Sequence, residues 1–277
     1  MSKACVFCGA PGGSREHLWS AALGPEIAKR MPSNNGRSFK GLDGQGRDIF
    51  KQNGMPSYAT TIPCVCHSCN NSWMNRLDER TRTKTIRLIR GQSAEYNQND
   101  TIYLASWLAM KMIVRDEYEH TETAFSLEDK LNFYLTGLPP ADMWIGIALC
   151  GQGIWASAFH RQNRKVLVSH DPAKLRRQAS YTMGLGGTVA FIEFPRLDGH
   201  ALDVPADQVL TIWPQPAPFS WPARRRLSSM EIRRISMRFD PSRESAGDLF
   251  GRSQMRVAGN DPTNRHERRA QNKNRSV

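Results

Sequence analysis

No stretch of this sequence approaches the roughly 18 to 20 consecutive apolar residues of a membrane span. Residues 1 to 20 also lack the apolar core of a secretory signal. The expected location is therefore cytoplasmic. In that reducing compartment, paired cysteines bind metal more often than they form disulfides. No internal repeat is present. Gly41-x-x-Gly44-x-Gly46 is not a dinucleotide fingerprint, because its spacing is wrong and no apolar strand precedes it. The histidines include no His-x3-His pair, so His120, His160, His170 and His200 default to surface or strand positions. Acidic residues are the minority charge: 26 Asp and Glu face 38 Lys and Arg, a formal net charge of +12. Such an excess points to a polyanionic partner, nucleic acid first and an acidic membrane surface second. A soluble protein that is simply basic is the alternative.

With 277 residues, 39% hydrophobic and 23% charged, the chain is globular and long enough for one large domain or two small ones. Its six cysteines are Cys5, Cys8, Cys64, Cys66, Cys69 and Cys150. Four of them form two Cys-x-x-Cys knuckles, Cys5/Cys8 and Cys66/Cys69. Cys64 reads as a strand residue near the knuckles and Cys150 as a small core residue. Residues 25–60 are polar and rich in glycine, either a substrate-facing insertion or a solvated loop. Thr60 to Val65 reads as a strand. A helix then begins near Cys69 or Asn70, carries Trp73, Met74, Leu77, Thr81 and Leu88 at helical spacing, and stops at Gly91. Residues 101–118 read as a buried helix, apolar nearly all round. Ser126 and Asp129 form a capping box for the next helix, and Ser228 and Glu231 another. Between these helices, Met143 to Cys150, Ile154 to His160, Val166 to Ser169, Tyr181 to Leu185, Thr188 to Phe194 and Val209 to Trp213 read as strands of an antiparallel sheet. Gly151–Gly153 and Gly184–Gly187 read as hairpin turns. Residues 252–277 hold seven Lys or Arg against two acids, a tail suited to phosphate backbones without sequence reading.

Four thiolates suit a closed, structural zinc site with no open position. Such a site folds a segment too poor in apolar residues to hold itself. Catalysis beside it would need a different, hard ion such as Mg2+ or Mn2+, bound by one or two protein oxygens plus water and substrate phosphate. Glu16 offers a carboxylate and Asn70 an amide oxygen. His17, near the opposite face of an extended segment from Glu16, offers an imidazole able to take a proton from an attacking water. Arg15, Arg76, the run Arg224, Arg225 and Arg226, and the tail residues Arg268 and Arg269 are candidate phosphate contacts. For Arg76 and the run, a solvated charged surface is the alternative.

Cys-x2-Cys, then Glu-His, then Cys-x2-Cys-Asn resembles the zinc-stapled HNH (His-Me finger) endonucleases, the family that includes phage recombination endonuclease VII. Cys-x2-Cys-Asn-Asn-x-Trp-Met, Cys66 to Met74, is similar to a group of little-characterised bacterial and phage HNH proteins. The resemblance covers residues 5 to about 90 and is vague beyond. It implies a ββα-metal core, Cys5, Cys8, Cys66 and Cys69 as zinc ligands, Glu16 and Asn70 as ligands of a catalytic divalent ion, and His17 as general base. Products would carry 5′-phosphate and 3′-hydroxyl ends. Many members carry an Asn shortly before the second knuckle that orients the histidine. Here Thr60-Thr61-Ile62-Pro63 stands instead, leaving Thr61 or a backbone carbonyl for that task.

The expected fold is α+β: a zinc-stapled ββα module over residues 1–91, an α+β region of helices and antiparallel sheet over 92–240, and a basic tail over 241–277. The expected function is a metal-dependent endonuclease acting on nucleic acid, DNA rather than RNA. Two readings compete with it: a catalytically impaired, zinc-dependent nucleic-acid-binding protein, and a structural protein that contacts an acidic partner through its tail.

Overall fold

The computed structural model describes residues 4–17, 19–29, 37–42, 48–53, 61–119, 123–150, 159–167, 175–196, 204–222 and 225–237. Strand β1 (Ser14–His17) pairs antiparallel with β4 (Thr61–Val65), placing Glu16 across from Ile62 and His17 across from Thr61. A bulge after Ser14 lets Ser14 and Glu16 both turn inward while Arg15 stays exposed. β4 leads directly into one helical run: α2 (His67–Cys69), a π-helical turn (Asn70–Met74) and α3 (Asn75–Arg90). In the π turn the Asn75 N–H donates to the Asn70 carbonyl, five residues back, so the helix is locally widened just after the second knuckle. Gly91 ends α3 in the left-handed conformation, with φ of 63°.

Between β1 and β4, the polar stretch expected as a loop contains α1 (Gly24–Ala28) and a two-stranded antiparallel ribbon, β2 (Arg37–Leu42) with β3 (Asp48–Asn53). Phe39, Leu42, Ile49 and Phe50 give this polar segment the apolar content that strands need.

α4 (Gln98–Glu119) is buried nearly all round, as its composition predicts, and α5 (Leu127–Thr136) opens with the Ser126–Asp129 capping box. A five-stranded antiparallel sheet follows, in the order β10-β6-β9-β8-β7: β10 (Leu210–Trp213), β6 (Trp144–Leu149), β9 (Thr188–Phe194), β8 (Leu175–Leu185) and β7 (Phe159–Leu167). β6 and β9 are buried along their whole length because both faces of the sheet are covered. Ile145, Ile147, Ala190, Ile192 and Phe194 belong to the core that also holds α4, while Trp144, Ala148, Val189 and Phe191 pack with Ile232 and Ile235 of α6 (Ser229–Met237). That period of two is the signature of a strand between two layers.

Two strands differ from the sequence expectation. Ile154 to His160 and Val166 to Ser169 read as separate strands, yet a single β7 runs through Arg161–Lys165, with 151–158 and 168–174 outside the described residues. β7 lies at the sheet edge, where a polar run is tolerated and discourages further pairing. β5 (Ala94–Tyr96) and β11 (Phe219–Trp221) form a separate two-stranded sheet, each too short to leave a periodic signal.

Residues 1–239 form one compact unit, and 240–277 a second that lies outside the described residues. The two regions expected on either side of residue 91 share one core, which runs from Phe7 through Leu88 and Trp107 to Phe194. The C-terminal end of α3 is received by the β8–β9 turn: Gly187 N–H donates to the Ile89 carbonyl at 2.7 Å and Thr188 Oγ1 to the Leu88 carbonyl at 2.7 Å. Gly186 sits in that turn with φ of 62°, and a Cβ there would meet the Ile89 carbonyl oxygen at 2.6 Å. No helix among the described residues is long and apolar enough to cross a membrane.

Candidate metal centre

The first knuckle is a tight turn. Cys5 N–H donates to the Ala10 carbonyl at 2.7 Å, and Gly9, with φ of 73°, donates back to the Cys5 carbonyl at 3.0 Å. Only a residue without Cβ adopts that φ freely. Val6 N–H donates to the Cys64 carbonyl at 2.9 Å and Gly13 N–H to Val65 at 3.1 Å, which fastens the turn to β4. The second knuckle is the start of a helix. Cys66 caps α2, and its sulfur accepts from the Cys69 N–H at 3.4 Å.

These two turns bring Cys5, Cys8, Cys66 and Cys69 together with all four sulfurs within 4.8 Å of one another. The Cys8 and Cys66 sulfurs are 3.6 Å apart. Four thiolates at zinc–sulfur bond length in a tetrahedron lie roughly 3.8 Å apart, and a disulfide needs about 2.05 Å. The donor set and its spacing therefore fit a metal ion such as zinc. It is the single group of three or more His, Cys, Asp or Glu side chains with that geometry among the described residues. Burial pushes the Cys8 and Cys69 thiols up, while Cys66, against the same burial, is brought down to about 7 by the Cys69 N–H and the neighbouring thiols. The Trp73 indole beside Cys69 acts to favour its thiolate. Trp73 is itself held edge-on against Phe7 of the first knuckle, centroids 4.9 Å apart. Cys64 is buried in β4 and Cys150 is buried at the end of β6, as expected of both.

Glu16 does not face this cluster. Its carboxylate turns inward and accepts from Lys111 Nζ of α4 at 2.5 Å. Lys111 is 1% exposed and also lies 3.3 Å from the Asp78 carboxylate, while its Nζ donates to the His17 carbonyl at 3.4 Å. Asp78 in turn accepts from the Trp107 indole N–H at 2.6 Å. Burial alone lowers the pKa of a lysine, but the two carboxylates more than offset it and hold Lys111 above its usual value. Lys111, Asp78 and Trp107 were not singled out from the sequence. The signal was there: one lysine inside a helix otherwise apolar all round requires a buried partner.

His17 is half-buried on β1, across from Thr61. Asn70, in the π turn, reaches the same strand: its Nδ2 donates to Ser14 Oγ at 2.7 Å and to the Arg15 carbonyl at 3.3 Å. The strand and the helix start are thus joined directly, beside the cysteine cluster. No described contact joins Glu16 to Asn70. Arg15 is exposed on β1, and Arg76 is exposed on α3 with Arg80, Arg82 and Arg87. Arg225 and Arg226 are exposed beside Leu227, which belongs to the α6-side core, and Arg225 pairs with Glu231. Arg224, Arg268 and Arg269 lie outside the described residues.

No protein-family model matches the chain, and neither does any curated protein or solved structure.

Proposed function

We propose that this chain is a metal-dependent endonuclease of the HNH kind, acting on nucleic acid and on DNA before RNA. The observation that carries the reading is the double hydrogen bond from Asn70 to β1, next to His17 and above a four-cysteine cluster. Strand, strand and helix follow in the order of a ββα-metal core, and the sulfur cluster clamps their junction. The zinc that fits those sulfurs would have no open position, so its part is structural.

In this reading His17 takes the proton of a water attacking the phosphorus, and Thr61, opposite it in the ladder, lies where an orienting group is needed. Asn70 donates through its amide nitrogen, which leaves Oδ1 for a hard cation. A bound Mg2+ or Mn2+ would stabilise charge on the phosphate and the leaving oxygen. The sequence also assigned Glu16 to that ion. Its carboxylate is committed to Lys111, so Glu16 becomes a positioning residue that fixes the register of the His17 strand. Asn70 then supplies the protein oxygen, and water and substrate phosphate complete the shell. Arg15, Arg76, Arg80 and Arg82 give an exposed cationic surface on the same strand and helix.

A second reading, a nucleic-acid-binding protein without catalysis, is favoured by the same Glu16–Lys111 pair, which removes one carboxylate from the divalent site. Plasmid nicking separates the two. With Mg2+ or Mn2+, wild type is expected to convert supercoiled plasmid to open circle, and His17→Ala to lose at least a hundredfold in rate. If zinc-loaded wild type binds DNA but nicks none with either ion, the binding reading replaces the enzyme.

A further inference from the structure

α5 carries the largest cluster of exposed apolar side chains in the described fold: Leu127 is 75% exposed, Leu135 69%, Leu131 and Leu138 43% each, and Tyr134 37%. Leu127, Leu131, Tyr134 and Leu138 recur at intervals of four, three and four residues, the seam spacing of one helix packed on another. The opposite side of α5 is firmly seated. Phe133 packs between Phe7 and Trp73, and Lys130 pairs with Glu117. The Ser126–Asp129 box closes one end of the helix and left-handed Gly137 the other. The stripe is therefore presented rigidly, and little ordering cost attaches to covering it.

We propose that this stripe is a homodimer interface in which α5 pairs antiparallel with α5 of a second copy. The seam spacing calls for a helix of the same pattern, and a two-fold axis supplies one without any further partner. A parallel pair would set Glu128 and Asp129 against their own copies. The antiparallel pair separates them and opposes the helix dipoles. At the exposures above, the five side chains present about 500 Å², so two copies would bury about 1,000 Å², enough for a specific interface. The chain's own tail is a poor occupant. From 241 to 277 it holds Leu249, Phe250, Met255, Val257 and Val277, clustered or isolated and never at seam spacing. The inference is independent of the endonuclease reading, since neither His17 nor Asn70 lies on the stripe.

Sedimentation of the full-length, zinc-loaded chain tests it. Wild type is expected at twice the 31.3 kDa chain mass at micromolar concentration. Leu131→Glu with Leu135→Glu buries charge at the seam and is expected to weaken the dimer about a hundredfold or more, at unchanged zinc content and circular dichroism. A wild type that stays monomeric overturns the proposal by itself, whatever the variant does. So does a dimer that survives both substitutions, or survives the milder Leu127→Ser, Leu135→Ser pair.

Discussion

The cysteine end of the molecule and the five-stranded sheet are built on different principles. Around the cluster the buried apolar side chains are few, chiefly Val6, Phe7, Ile62, Val65 and Met74, and Ser14, Glu16 and Lys111 are buried among them. Named links hold this end: four sulfurs around one point, the Lys111 pair to Glu16 and Asp78, and Asn70 on β1. The sheet has no comparable link at its centre. β6 and β9 are buried at every position, one face against the α4 layer and the other against α6. The first end depends on the chemistry of a few groups, and the second on area and volume. The difference teaches where each will fail.

The largest contrast is expected on metal removal. Structural zinc in small modules contributes on the order of 10–16 kcal/mol. Chelation, or Cys66→Ser, should abolish hydrogen-exchange protection of β1 and β4 while β8 and β9 keep theirs. Equal protection in zinc-free protein would break the comparison at its root. On the sheet side, Phe191→Ala should cost about 3–5 kcal/mol by denaturant titration, because a fully buried ring leaves a cavity between β9 and α6. Its zinc content should not change, and a cost below about 1 kcal/mol would mean that area is not what holds this half.

Lys111→Met should cost about 3–5 kcal/mol, because it strands two carboxylates without a cation. Adding Glu16→Gln and Asp78→Asn should recover most of that loss. If the triple variant is no more stable than the single one, the network is not acting through charge. The smallest effect concerns Glu26 of α1, which accepts from Arg90 at 2.7 and 2.9 Å. The Arg90 hydrogen bonds, with Lys29 beside them, hold Glu26 at about 2 against an ordinary 4.5. Its folded value is the lower one, so its contribution is present above 4.5 and is lost as pH falls from there towards 2. Wild type should lose slightly more stability over that window than Glu26→Gln. Parallel acid titrations would remove Arg90–Glu26 as a tie between α1 and α3.

Much of the sheet end was legible. Trp144 to Leu149 and Thr188 to Phe194 are unbroken apolar runs, and a strand buried on both faces cannot look otherwise. β7 was hidden because an edge strand tolerates Arg161–Lys165, and that polarity erases the period. At the cysteine end the ligand set was legible because Cys-x-x-Cys is a local geometric statement, and Asn70 because it follows the knuckle directly. The facing of Glu16 was not. Adjacent strand residues alternate, so either Glu16 or His17 had to point inward, and nothing local decides which.

The sequence by itself thus determined the four sulfurs, the strand that carries His17, the start of the helix at Asn70 and the two-sided burial of the sheet. Each depends on residue type at short spacing, which backbone geometry converts directly into place. Only the tertiary structure decided that Glu16 belongs to Lys111, 95 residues away, and that residues on both sides of position 91 share one core. A buried charge is neutralised by whichever opposite charge the packing delivers, and packing over that distance leaves no pattern in the chain.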